Sequence, residues 1–237
     1  MLILAFDTSF AMCSAALWRD GRTLAHRALP MERGHSEALV PMLHALTTGQ
    51  GLRFPDLDRL AVTVGPGGFT GIRIGLAAGR GLALACGRPL VGVTTLEAVA
   101  RSVPAEARDG RSLVVALDAG RADLYVQCFG PLGFGPLGPV GPVAAIAPGH
   151  PIPGLGPGPV LVAGNGSARL VGALAAVGRE VAEMGDMLPD AVRVAEIAAE
   201  RADADCMRPP GPLYIHPTYA KLPEPRTRTA NAPGGEP

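Results

Sequence analysis

The chain has 237 residues, 48% of them hydrophobic, and its 21 basic side chains balance its 21 acidic ones. That length and apolar share suffice for a substantial core in one large domain or two smaller ones. The balanced charge excludes a global field drawing the protein to nucleic acid or anionic membrane, although it leaves room for a local patch.

Residues 2–6 read as a buried strand that ends at Asp7-Thr8-Ser9. Cys13 to Trp18 make a second strand closing at Asp20-Gly21, a hairpin signal, and a third strand is expected over Arg22 to Ala28. A helix follows over about 36–48, with Leu39, Leu43 and Leu46 on one face and Pro41 marking its first turn or a kink. Leu60 to Val64 is the next strand. It runs into Gly65-Pro66-Gly67-Gly68-Phe69-Thr70-Gly71-Ile72-Arg73, where Thr70 is placed to cap a helix lasting to about Ala85. A strand over 89–93 and a short helix capped by Thr95 complete this half.

The plan then recurs. Val114-Val115-Ala116-Leu117-Asp118 echoes Ile3-Leu4-Ala5-Phe6-Asp7, and Leu124 to Phe129 supplies the following strand. Pro159 to Ala163, the turn Gly164-Asn165-Gly166-Ser167 and a helix over 168–177 parallel the Gly65 region. The pattern predicts an α/β fold of two related halves, 1–107 and 108–221, with a polar, proline-rich tail over 222–237 expected to be disordered. Between 130 and 159, 18 of 30 residues are glycine or proline, which predicts a loop or flexible insertion.

Candidate chemistry is sparse. Asp7 at a strand end before two small hydroxyl residues is where a phosphate loop would set a carboxylate beside Mg²⁺, with Thr8 and Ser9 toward phosphate oxygens. The same residues equally fit a turn that satisfies its own backbone. Neither glycine segment contains the lysine of a Walker loop, and G-x-G-x-x-G does not occur at Gly65. The histidines, at 26, 35, 44, 150 and 216, include no pair at helical metal-binding spacing, and there is no G-x-S-x-G elbow. Cysteines at 13, 86, 128 and 206 form no C-x-x-C pair and read as buried free thiols. Asp7 interrupts the N-terminal apolar run before a signal-peptide core can form, and no run approaches the ~20 apolar residues of a membrane span, so a cytoplasmic protein is expected.

Gly71, Gly75 and Gly79 share one helical face, and each interior glycine costs roughly 1 kcal/mol against alanine, so something approaches that backbone closely. Two explanations stand at this point: the helix's own sheet, or a helix of another protein. A helix apolar around most of its circumference is normally covered on both sides.

Asp7-Thr8-Ser9 before Cys13 to Trp18, His35-Ser36-Glu37, the run from Gly65 to Gly75, Val91 to Glu97, Ala116 to Ala119 and Pro212 to Ile215 together resemble the TsaB family, also called YeaZ. The likeness is dense over 1–100 and sparse beyond. Gly68 replaces the family's usual serine, and the Gly/Pro segment after Cys128 is unusually long. The resemblance implies two ribonuclease-H-like halves of the actin, Hsp70 and sugar-kinase type. It implies a non-catalytic subunit that pairs with the catalytic relative TsaD, works with the ATPase TsaE, and meets tRNA through the complex during threonylcarbamoyl transfer to an adenosine beside the anticodon. The expected partner face comprises His35, Leu39, Leu43, Gly71, Ile72, Gly75, Leu76 and Gly79. No intrinsic cofactor or metal is expected, with ATP or ADP and Mg²⁺ placed, if anywhere, at the complex interface. The competing expectation is a Mg²⁺-dependent nucleotide hydrolase or kinase using Asp7, and a homodimer through the same helices is a third.

Overall fold

A computed structural model describes residues 1–131, 137–202 and 208–215. The expected tail at 222–237, Cys206 and His216 lie outside the described residues.

The first sheet has the order β3-β2-β1-β4-β5, built from β1 (Leu2–Phe10), β2 (Met12–Arg19), β3 (Arg22–Pro30), β4 (Arg59–Gly65) and β5 (Leu90–Thr94). β1, β2 and β3 pair antiparallel, and β4 and β5 join parallel to β1 through crossover helices. The second sheet repeats this plan with β6 (Ser112–Leu117), β7 (Leu124–Pro131), β8 (Leu137–Pro139), β10 (Val160–Ala163) and β11 (Val181–Gly185) in the order β11-β10-β6-β7-β8. Two mixed sheets of one topology, each flanked by helices, make this an α/β protein of two ribonuclease-H-like halves.

The Gly/Pro-rich segment holds more structure than its composition suggests. β8 and the three-residue β9 (Ala144–Ile146) both pair with β7, so the segment extends the second sheet. Short edge strands tolerate prolines that a central strand would not.

Alternation on β1 sorts the first core. Leu2, Leu4 and Phe6 face helices α1 (His35–Thr48) and α2 (Phe69–Cys86), whereas Ile3 and Ala5 face the opposite side. That opposite side is covered by α6 (Ala191–Glu200), whose Val194, Ala195, Ile197 and Ala198 pack against Ile3, Ala5, Trp18 and Val93. α6 was expected to belong with residues 108–221, yet its apolar face closes the first sheet. Residues 208–215 return there as well: the Leu213 amide donates to the Val64 carbonyl at 2.7 Å, and Pro210 sits against Gly92.

Helix α3 (Thr95–Ser102) is held by a capping box in which Thr94, one residue before the expected cap, accepts from the Glu97 amide while Glu97 accepts from Thr94. α2 begins at Phe69 with Gly68 at its N-cap and no side-chain cap, so Thr70 lies within its first turn. With 18 residues and a mean hydropathy of 1.2, α2 has the length and composition of a membrane span, although Arg73 and Arg80 interrupt its apolar run. Here its glycine face is pressed onto the first sheet, and its opposite face carries Arg73 and Arg80.

Candidate functional site

Gly71, Gly75 and Gly79 do share a face, and it is turned inward. A Cβ on Gly71 would collide with the Thr8 carbonyl oxygen, one on Gly75 would lie 2.8 Å from the Thr8 hydroxyl, and one on Gly79 would lie 3.0 Å from Leu90. The sheet of the same chain is therefore what approaches that backbone. Leu39 and Leu43 are fully buried in the same core, Ile72 and Leu76 nearly so, and His35 is buried with its Nε2 3.0 Å from the Phe10 carbonyl. The partner face expected from these eight residues is thus corrected: their side chains or backbones are consumed by intramolecular packing.

The accessible sides of the two helices are complementary to those positions. On α1, Glu37, Val40, Pro41, His44 and Ala45 are exposed; on α2, Thr70, Arg73, Ala77, Arg80, Gly81 and Leu84 are exposed. Leu84 is 87% accessible and Val40 46%, in a protein where most large apolar side chains are covered.

Asp7, expected at a strand end, lies inside β1 one residue past the last that pairs with β4, beneath a network of its own. Its Oδ1 accepts from the Ser9 hydroxyl at 2.5 Å, the Thr63 hydroxyl at 2.5 Å and the Ser9 amide at 3.2 Å, while Oδ2 is buried with no hydrogen-bond partner. Burial pushes the carboxyl up to about 6, against the donors Ser9 and Thr63, which favour the ionised form. Thr8 and Ser9 are buried as well; the Thr8 hydroxyl donates to the Gly71 carbonyl at 2.8 Å, and the Gly68 amide donates to the Ser9 carbonyl at 2.8 Å.

This arrangement does not fit a Mg²⁺–phosphate group at Asp7, Thr8 and Ser9. Both hydroxyls are engaged within the chain, the carboxylate is fully enclosed, and the first turn of α2 lies directly on the strand end. The second half closes in the same way, because Gly166 donates to the Ala116 carbonyl at 3.0 Å and a Cβ on Gly164 would collide with that oxygen. Its aspartate, Asp118, is locked by Arg169 at 2.7 Å and the Gly120 amide at 2.8 Å. Burial opposes ionisation of Asp118, but these donors outweigh it and hold the carboxyl below the usual carboxylate range. Asn165 donates to the Asp118 carbonyl and accepts from its amide, each at 2.9 Å, tying the two strand ends together. The two halves meet over a cleft of about 970 Å³, whose lining includes Ser9, His35, Thr70, Asp118 and Asn165.

The thiols of Cys13 and Cys128 are pushed up to about 11 by burial, Cys13 also by Asp7, and are unreactive near neutral pH. Among the described residues, no serine or cysteine side chain is hydrogen-bonded to a histidine ring; His35 contacts the Phe10 carbonyl, His26 pairs with Asp190 at 2.9 Å, and His44 packs edge-on against Phe54. No group of three or more metal-ligating side chains occurs among them either.

The family model for tRNA N6-adenosine threonylcarbamoyltransferase, TsaD, matches residues 28–130, the segment that contains α1 and α2. The tRNA threonylcarbamoyladenosine biosynthesis protein TsaB of Escherichia coli is 40% identical over 126 residues, covering 53% of this chain and 53% of that protein. TsaB of Bacillus subtilis is 32% identical over 130 residues, covering 54% and 55%. The chain therefore spans about half the length of the curated relatives it matches. A solved structure of YeaZ from Pseudomonas aeruginosa, 27% identical, superposes with a TM-score of 0.74 over 90% of this chain and 100% of that one.

Proposed function

Since the chain belongs to the TsaB (YeaZ) family, we propose that it is the non-catalytic subunit that binds and supports a TsaD-type transferase as it moves a threonylcarbamoyl group onto an adenosine beside the tRNA anticodon. The observation that carries this reading is the outward side of the α1–α2 pair, where Val40, Pro41, Ala77, Gly81 and Leu84 leave a low-relief apolar surface exposed. Helices apolar on both sides call for a cover on the second side. The transferase family model matches this same stretch of chain. Two related subunits can pair through like helices in a pseudo-two-fold heterodimer.

In this reading the complex is cytoplasmic, recruits a TsaE-type ATPase, and contacts tRNA mainly through the transferase. ATP or ADP with Mg²⁺ belongs to the assembled interface, since in this chain the Asp7 carboxylate is enclosed and the Thr8 and Ser9 hydroxyls are already engaged, although both residues line the cleft. That closure also counts against an intrinsic hydrolase or kinase. Co-purification with the transferase of the same organism tests the proposal. A stable one-to-one complex is expected, and failure of the two full-length proteins to associate would refute it.

A further inference from the structure

The exposed side of α2 carries a charge pattern that its apolar character does not explain. From Arg59 through Leu96 the chain contains no aspartate or glutamate, although the protein as a whole is neutral. Arg73, Ala77, Arg80 and Leu84 are all exposed, and at 100° per residue they fall within an arc of about 60°, with the two arginines roughly 10 Å apart along the axis. Arg88 lies just beyond the helix end.

Among the described residues these arginines donate their hydrogen bonds to neutral groups, and Arg88 also lies within the electrostatic reach of the Asp56 carboxylate. Arg73 donates through Nε to the Tyr214 hydroxyl at 2.9 Å, and its guanidinium stacks 3.5 Å from the Phe69 ring centroid. Arg80 donates to the Pro210 carbonyl at 2.6 Å, and Arg88 to the Pro55 carbonyl at 2.9 Å. Among the described residues, none of the three forms an ion pair with a carboxylate. Arg80 and Arg88 flank a groove of about 290 Å³ lined by the buried Leu90 together with Pro89 and Pro209, with the exposed Leu84 at its rim.

Building on the docking role above, we infer that this stripe receives a carboxylate-bearing helix of the transferase, which seats an apolar side chain in the Leu84–Pro209 groove and directs acidic residues at Arg73, Arg80 and Arg88. The Arg73 and Arg80 guanidiniums are already oriented by residues 208–215 and that of Arg88 by Pro55, so less rotamer freedom is lost on binding. The apolar floor favours a protein helix over a phosphate backbone. A second copy of this chain docked α2 to α2 would bring four like-charged α2 arginines to one interface with no acidic residue from α2 to balance them, so the stripe favours a heterologous partner.

The test measures binding of the full-length transferase to wild type, Arg80→Gln, Arg80→Glu and Arg88→Glu at about 0.05 and about 0.3 M salt, with thermal melts confirming that each variant is folded. Wild-type affinity should fall as salt rises. Arg80→Glu should weaken binding at low salt by at least about tenfold, Arg80→Gln by less, and both should show a shallower salt dependence. Unchanged affinity and salt dependence in folded variants would overturn the inference while leaving the scaffold role intact. A wild type that fails to bind at either salt would instead sink the scaffold role. Binding of the wild type to tRNA alone, or self-association, that is lost in Arg80→Glu would assign the stripe to a different occupant and also overturn it.

Discussion

Thr8 and Gly71 hold the end of β1 and the start of α2 against each other: the Thr8 hydroxyl donates to the Gly71 carbonyl, and the Thr8 carbonyl fills the space that a Gly71 side chain would need. This contact determines two properties of the molecule. It engages the Thr8 hydroxyl that a phosphate would have needed, and it fixes α2 so that Arg73, Ala77 and Leu84 project outward.

Substitution within α2 should therefore split by face. Gly71→Ala drives a methyl into backbone and should cost on the order of 3 kcal/mol, seen as a lower urea midpoint. Gly81→Ala meets nothing within 4 Å and should stabilise by about 1 kcal/mol.

Asp7 makes stability depend on pH in a direction opposite to ordinary acid denaturation. Its folded pKa, about 6, lies above the unfolded value of 3.8, so between these values the native state binds more protons and this group's contribution to stability falls as pH rises. The ionised form then costs roughly 3 kcal/mol above pH 6. Asp7→Asn keeps an oxygen for Ser9 and Thr63, and urea titrations should show it gaining on wild type at pH 7.5 but not at pH 4.

The capping box at the start of α3 should respond as a local element. Thr94→Ala removes the acceptor for the Glu97 amide and should lower stability by about 1 kcal/mol, read as a shift in the urea midpoint with unchanged slope.

The duplicated sheet plan was legible in the sequence because Asp7 and Asp118 follow matching apolar runs and each half carries a glycine turn after its fourth core strand. The shared glycine face was legible too, from helical spacing alone. What covers that face was not, since a glycine shows that something comes close without saying what. The family likeness led to the buried side of the helices, whereas Leu84 and Ala77 carried no motif. α6 was legible in principle, since Ala191, Val194, Ala195, Ile197 and Ala198 repeat at helical spacing opposite Arg193 and Glu200, but its destination on the first sheet depends on a long-range contact that no local pattern shows. The strap was legible only as the motif Pro212 to Ile215; its hold on Arg73 and Arg80 spans more than 120 residues of sequence.

The most direct measurement is threonylcarbamoyl transfer to tRNA by the TsaD-type transferase with its ATPase, reconstituted with wild type, with Leu84→Asp or without this chain. Transfer should require the wild-type chain and drop at least about tenfold with Leu84→Asp, whose exposed site leaves the core intact and whose folding a thermal melt confirms. Full transfer without the chain would contradict the scaffold role. Full transfer with a folded Leu84→Asp would contradict the assignment of the outward α2 face as the surface that serves it.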